Sequence, residues 1–342
     1  PESHAAAFAH LVYISAWIKC YHPDVFACAL LNSQPMGFYA PAQIVRDAAE
    51  HGIEVRAADI NASHWDNTLE PCAGGKHALR LGLRQLDGFQ KAWAEALARH
   101  RGMGFPDLEA LARRTALPRR ALEILADADA CRSIGLDRRE AAWAVRRLPD
   151  SQPLPLFAAA DAAELAAEPD VHLPAMPLAE HVITDYQTAR LSLKAHPVHF
   201  LRPLYRREGL LSCEEVRQSR NGLWARTAGI VLVRQRPGKG NVVFMTIEDE
   251  TGIANIVVWA NLFARFRGEV MGARIIEIAG QIQRSEDNVV HVIARRLTDR
   301  SRDLGHLREG EGLQDDGAAR RAARTGGHPR NVRILPRSRD FH

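Results

Sequence analysis

Between residues 149 and 190 the chain carries Pro153, Pro155, Pro169, Pro174 and Pro177 among seven acidic residues and a single arginine. This stretch constrains the fold more than any other, because it separates two halves with different hydrophobic periods. Helical spacing dominates before it and strand-like alternation after it, and one layered core cannot serve both patterns. The stretch itself reads as an extended acidic linker with one short Ala-rich helix, and its charge repels phosphate. With 342 residues, two or three compact units are expected.

In the first half, Ser3 is an N-cap candidate for a helix whose apolar residues Phe8, Leu11, Val12, Ile14 and Ile18 fall at helical spacing until His22-Pro23 ends it. A second helix is expected over 24–31. Pro41 opens a third that runs to Glu50, with His51-Gly52 as its stop. Residues 53–60 alternate well enough for a short strand. From 78 to 148 the spacing predicts short helices at 79–86, 90–100, 106–115, 118–127 and 137–147, with a turn at Asp87-Gly88 and 14 basic against nine acidic residues.

Beyond the linker, a helix is expected at 197–208, then strands at 224–235, 241–248, 253–260, 273–284 and 288–298, with a helix at 261–270 between the third and fourth. Five strands with a helix in that place is the order of an OB-fold barrel. The expected class is therefore α+β and multi-domain: units at 1–77, 78–148 (all-α, tandem hairpins) and 191–299 (barrel with leading helix), a linker at 149–190 and an Arg-rich, disordered tail at 300–342, ordered at most over 332–335. Residues 1–299 carry 35 basic and 35 acidic side chains, whereas the tail carries ten Arg against six acids, so the net charge of +4 resides in the tail.

Composition excludes several classes. No stretch approaches the ~20 apolar residues of a membrane helix, and no basic-then-apolar leader opens the chain, so a soluble cytoplasmic protein without membrane contact is expected. The missing initiator Met fits a piece of something longer. Five cysteines, none in a Cys-x-x-Cys pair, support neither disulfides nor a thiolate zinc site. Five Lys against 40 Arg suits phosphate recognition, although a GC-rich genome gives the same bias. His196 and His199 lack further ligands near them and read as capping or surface residues. No phosphate-binding Gly-rich loop, nucleophile elbow or pair of carboxylates on an apolar strand is present, so no metal site is expected and the chain alone is expected to be inactive.

Residues 83–91 have the layout of a helix-hairpin-helix, in which a Gly turn and the next helix N-terminus aim backbone N–H groups at a DNA phosphate. Arg84, Gly88, Phe89 and Lys91 are the candidates there, and Arg119 and Arg120 belong to a second copy. Gln90 stands where a second glycine is usual, and an ordinary αα-hairpin reads the same way locally. In the barrel, Arg234, Arg236 and Lys239 in the first loop, Arg284 in the last, and Phe244 and Trp259 as stacking platforms suit a single strand. Against this, both aromatics also suit a barrel core, and Glu248-Asp249-Glu250 repels phosphate. Gln152, Leu156 and Phe157 form a short apolar-anchor peptide for a partner's pocket, or else a tether of the linker to its own domain.

In order, these blocks resemble the C-terminal third of a bacterial C-family DNA polymerase, the family of the polymerase III α subunit. Ser3-His4-Ala5, Ala16-Trp17-Ile18-Lys19 and Tyr21-His22-Pro23 are similar to the end of that family's fingers domain, which assigns 1–77. The error-prone, damage-inducible branch is resembled by Ala128-Asp129-Ala130, by 134–139, 191–197, 231–237 and 248–255, and by 328–333 with 338–342. The resemblance implies DNA-directed synthesis with Mg²⁺ in the parent protein, translesion activity, a sliding clamp that Gln152, Leu156 and Phe157 would meet, and an accessory Y-family-like protein. It assigns the catalytic aspartates to a palm domain preceding this sequence, duplex binding to the hairpins and single-stranded template to the OB fold. A stand-alone OB-containing nucleic-acid-binding or adapter protein is the alternative.

Overall fold

In a computed structural model, residues 2–36, 39–72, 77–148, 174–238 and 240–307 are described, together with the backbone of 339–341. They form two compact units, residues 1–176 with 188–193, and residues 177–187 with 194–342. The linker residues 149–173 lie outside the described residues.

The first unit opens with α1 (Glu2–Tyr21), α2 (Pro23–Asn32) and α3 (Pro41–Glu50). Helix α1 starts at Glu2, one residue ahead of the expected cap, and none of its residues is buried: Phe8, Leu11, Val12, Tyr13 and Trp17 are all exposed. A small sheet follows, in the order β1 (Val55–Arg56), β3 (His77–Arg80), β2 (Thr68–Pro71). The helix expected at 79–86 is not formed. Leu79 instead pairs with Leu69 on one side and Val55 on the other, and a 3₁₀ turn at Leu83–Gln85 follows. Helical spacing of leucines is ambiguous over so short a run, and partners supplied from remote sequence decide it. The strand expected at 53–60 shrinks to two residues because Ile60 leaves the sheet, its amide donating to the Ala130 carbonyl at 2.9 Å.

Helices α4 (Lys91–His100), α5 (Leu108–Thr115), α6 (Arg119–Asp127) and α7 (Arg138–Arg147) complete the unit close to their expected bounds. Asp107 and Asp137 cap α5 and α7 by accepting from the amides of Ala110 and Glu140. Leu31, Ile44, Leu79, Leu97, Leu111 and Leu125 share one apolar core. Strand β3 thus runs across the expected division at 77/78, and a single core lies on both sides of it.

The second unit includes a helix that the acidic linker conceals, α8 (Leu178–Thr188), whose Ile183 packs with Val198, Leu201 and Tyr205 of α9 (Pro197–Arg207). His196 is the N-cap of α9, its Nδ1 accepting from the Val198 amide at 3.2 Å. The short α10 (Cys213–Gln218) leads into the barrel. Its strands are β4 (Trp224–Gln235), β5 (Val242–Glu248), β6 (Ile253–Trp259), β7 (Ile275–Arg284) and β8 (Val290–Asp299). They run in the order β5-β6-β8-β7-β4, and β4 pairs again with β5 to close the barrel. In chain order that is 1-2-3-5-4-1, with the third and fifth strands parallel. Gly229 permits the closure: a Cβ there would lie 2.6 Å from the Glu248 carbonyl oxygen on the neighbouring strand. The expected helix at 261–270 is two short ones, α11 (Ala260–Arg265) and α12 (Arg267–Gly272), broken at Phe266.

The tail expectation is corrected at two places. Residues Ser301–Leu307 form a 3₁₀ segment that buries Leu304 and Leu307 against Ile230 and Ile275, so the barrel unit continues past 299. A sixth strand is added by β9 (Arg339–Phe341), parallel to Val233–Gln235 of β4. Residues 332–335 lie outside the described residues.

Candidate nucleic-acid interfaces

In the first unit the chain turns at Gly88, which is exposed with φ +80°, a left-handed conformation that disfavours any side chain. Helix α4 starts three residues later. Its N-cap, Gln90, makes no side-chain capping bond, so the amides of Lys91 and Ala92 have no intrahelical acceptor and point outward with the positive end of the helix dipole. Helix α6 presents a second such start behind Pro118, also without a side-chain cap. The two come together: a Cβ on Gly88 would lie 3.8 Å from Nη2 of Arg120. Two helix starts, an exposed Lys91 and the Arg120 guanidinium therefore converge on one turn. The turn of the second hairpin is made by Ala116 at φ 49°, at a cost of roughly 1–2 kcal/mol that glycine would avoid.

Three of the sequence candidates here are otherwise employed. Arg84 donates to the carbonyls of Asn32 (2.7 Å) and Gln34 (2.8 Å) and to Asp66 (2.6 Å), which locks its fork inside the fold. Phe89 is buried and meets Trp93 edge-on, with ring centroids 5.4 Å apart, so it is core. Arg119 donates to the Leu148 carbonyl at 2.6 Å, although it remains exposed.

In the barrel the hairpin between β5 and β6 fixes which side chains share a face. The Asp249 carboxylate accepts from the amides of Thr251 (2.8 Å) and Gly252 (3.1 Å), and this tight turn sets Thr246 opposite Asn255, Phe244 opposite Val257 and Val242 opposite Trp259. Phe244 is 42% and Trp259 49% exposed, on the outer face of the barrel. The alternation 243, 245, 247 is buried inside, with Met245 and Ile247 in the barrel core. The reading of these aromatics as core is thereby excluded.

The arginines divide differently from the sequence expectation. Arg234 is buried, its guanidinium donating to the carbonyls of Val270 and Ala273 at the end of α12, which is a structural role. Arg284 is tied to the carbonyls of Arg217 (2.6 Å) and Ser219 (3.0 Å). Arg236 stays exposed in the first loop, its Nε donating to Gly240 at 3.0 Å and its guanidinium 5.9 Å from the Phe263 ring centroid. Lys239, Gln152, Leu156 and Phe157 lie outside the described residues. The acidic corner is not a repelling surface: Asp249 is fully buried against Arg202 at 2.6 Å, and Glu250 holds the same guanidinium at 2.5 Å. Burial alone would lower the Arg202 pKa, yet these carboxylates outweigh it and raise it. Sequence reasoning missed the half-buried Thr246 and Asn255 on the outer face, although pairing 248 with 253 across the Asp-Glu-Thr-Gly turn would have placed them.

Fold and geometry define a chain with two separate nucleic-acid-binding modules. Residues 52–141 match the helix-hairpin-helix motif family and residues 225–300 the OB-fold nucleic acid binding domain family. Over its whole length the chain is similar to part of proteins named error-prone DNA polymerase. It is 53% identical over 390 residues to the error-prone DNA polymerase of Rhodopseudomonas palustris strain CGA009 and 56% identical over 343 residues to that of Brucella abortus. Each alignment covers 100% of this chain, but the chain spans about a third of the relatives' length, 33% and 32%. Among solved structures, asparaginyl-tRNA synthetase from Pyrococcus horikoshii is 26% identical over 26% of this chain and 22% of that one, with a TM-score of 0.23. Among the described residues, no helix is long and apolar enough to cross a membrane, and no group of three His, Cys, Asp or Glu side chains is placed to hold a metal ion.

Proposed function

We propose that this chain is the DNA-handling portion of a translesion DNA polymerase, with the hairpins holding duplex and the barrel holding single-stranded template. The observation that carries the reading is the pair of chemically different interfaces in one chain. Around Gly88, uncapped amides and fixed cations suit phosphate oxygens without reading bases. Around Phe244 and Trp259, exposed rings suit unstacked bases, which a duplex does not offer. Polymerase chemistry with Mg²⁺ belongs, on this reading, to the two thirds of the relatives' length that this chain does not span. The acidic clusters described above pair with arginines, and no step is assigned here to a metal. A sliding clamp meeting Gln152, Leu156 and Phe157, an accessory Y-family-like protein and a cytoplasmic location are parts of the same proposal.

The test is fluorescence anisotropy of the chain with a labelled duplex and a labelled single strand. Gly88→Val forces a β-branched residue to φ +80°, and Arg120→Gln removes the adjoining cation. Each should weaken duplex binding several-fold with single-strand affinity kept. Unchanged duplex affinity in both variants overturns the hairpin assignment.

A further inference from the structure

We propose that the barrel carries a second phosphate-binding element, an arginine cleft at its helical end, that receives the backbone of a single strand as it leaves the Phe244 and Trp259 face. The inference rests on the single-strand reading above and assigns residues that the sequence did not single out. Two adjoining depressions of about 400 and 390 Å³ share Phe266 and Arg296. Arg265 and Arg295 line one of them, and Arg302 the other, with Glu269 and Asp299 also on the wall. The break between α11 and α12 makes this cleft, because it turns Phe266 toward the last strand and sets the Arg265 guanidinium 5.3 Å from that ring's centroid.

The cleft is distinguished by gathering unheld cations in one place: among the described residues Arg206, Arg207, Arg220 and Arg267 are exposed and unheld too, but line neither depression. Elsewhere in the unit Arg202, Arg226, Arg234, Arg284 and Arg300 each donate to carboxylates or carbonyls. Among the described residues, Arg265, Arg295, Arg296 and Arg302 are exposed and make neither a hydrogen bond nor an ion pair. Four guanidinium forks around one open cleft attract one another's counterions and repel one another. That arrangement is relieved by a ligand with several phosphates in a row, since a guanidinium binds a phosphate through two parallel N–H donors.

Chain continuity connects the cleft to the aromatic face. Strands β6 and β8 are parallel, with Asn255 beside His291 and Val257 beside Ile293. That ladder ends at Val257, and Arg295 lies at the bulge where β8 shifts register between Ala279 and Gly280, so the link to the aromatic face is α11 itself, whose N-cap is the exposed Trp259 and whose last residue is Arg265. A strand whose base stacks on Trp259 therefore reaches Arg265 within about 9 Å of helix, and from there the cleft continues through Arg295 and Arg296. Arg236, just past the end of β4, has its guanidinium 5.9 Å from the ring centroid of Phe263 on the same helix α11. The single OB face thereby becomes a longer track, and its occluded length should exceed what the aromatic pair alone would hold.

The experiment uses the full chain with labelled oligodeoxythymidines of stepped length at several salt concentrations. The cleft variant is R295Q/R296Q. The charge-matched control is R206Q/R207Q, which removes two exposed arginines of α9 outside the cleft. A third protein, Trp259→Ala, reads the aromatic face, and R295K/R296K keeps charge while losing the fork. The cleft variant should lower the slope of log affinity against log salt by about 1.4, at about 0.7 per phosphate contact on a single strand. Its affinity should also stop rising at a shorter oligonucleotide, whereas the control keeps both slope and length and the lysine variant keeps most of the slope. Unchanged slope and length in R295Q/R296Q, with Trp259→Ala weakened, overturns the cleft and leaves the single-strand reading standing. If Trp259→Ala is also unchanged, the single-strand reading fails as well. Displacement of the strand by inorganic pyrophosphate at constant ionic strength, without any length effect in the variant, overturns the track in favour of a free-phosphate site. Binding of an acidic peptide abolished by R295Q/R296Q, with strand binding intact, overturns it in favour of a protein partner.

Discussion

Replacing Arg234 by Met separates a structural arginine from a DNA-binding one. The guanidinium is buried between strand β4 and the end of α12, donating to the carbonyls of Val270 and Ala273. Methionine has a similar apolar stem, so little packing is lost. Two buried carbonyls lose a charged donor, at about 1–3 kcal/mol for a buried group left unsatisfied. The positive charge near a helix C-terminus contributes a further ~0.3–1 kcal/mol. The carbonyls recover part of this by rotating toward water, and a net loss of about 3 kcal/mol is expected. At an m-value of about 1–3 kcal/mol/M for a unit this size, the urea midpoint of the barrel should fall by about 1–3 M. Hydrogen exchange of β5 and β7 peptides against urea follows that transition without interference from the first unit. Single-strand affinity under native conditions should be unchanged. An unchanged midpoint together with a weaker, less salt-sensitive interaction with a single strand would refute the assignment and return Arg234 to the interface.

Acid should loosen the small sheet of the first unit through Glu70. Its hydrogen bond with Arg80 holds its carboxyl below the ordinary range, burial opposes this, and Arg56 adds to the lowering. A lowered folded pKa contributes stability above the ordinary carboxylate range and loses it as pH falls through the folded value. Glu70→Gln should therefore flatten the dependence of the melting temperature on pH below about 4.3, and an unaltered acid profile would count against the clamp. Changing Leu156 and Phe157 to Ala should abolish binding to a sliding clamp, at ~2 kcal/mol or more per anchor, without shifting the thermal melt; a large loss of stability would favour a tether instead. Primer extension by this chain with Mg²⁺ should give no incorporation, and metal-dependent extension that survives repurification would refute the reading.

Much of the barrel was legible in advance because its strands alternate over seven to twelve residues and the loops between them are short. Local pattern specifies period, and period with the intervening helix specifies the OB order. The helices from Lys91 to Arg147 were legible for a similar reason, three of the four opening on a capping Asp or a proline and the first following the Gly88 turn. Leu79 to Leu86 was misread as helix because its strand partners lie at Val55 and Leu69, too far along the chain for any local rule to supply. The helix Leu178–Thr188 and the turn Ser301–Leu307 were hidden within charged or Pro-rich surroundings, and the core they share with Tyr205 and Ile230 is supplied by remote sequence. The site divides along the same line. The sequence by itself determined that Gly88 turns, that β5 and β6 alternate and that arginines abound. Which arginines are spent was decided by tertiary structure alone: Arg84, Arg234 and Arg284 find carbonyls contributed by remote segments, while Arg265, Arg295, Arg296 and Arg302 find none among the described residues. A guanidinium's availability depends on where its acceptors lie in space, and no spacing along a chain encodes that distance.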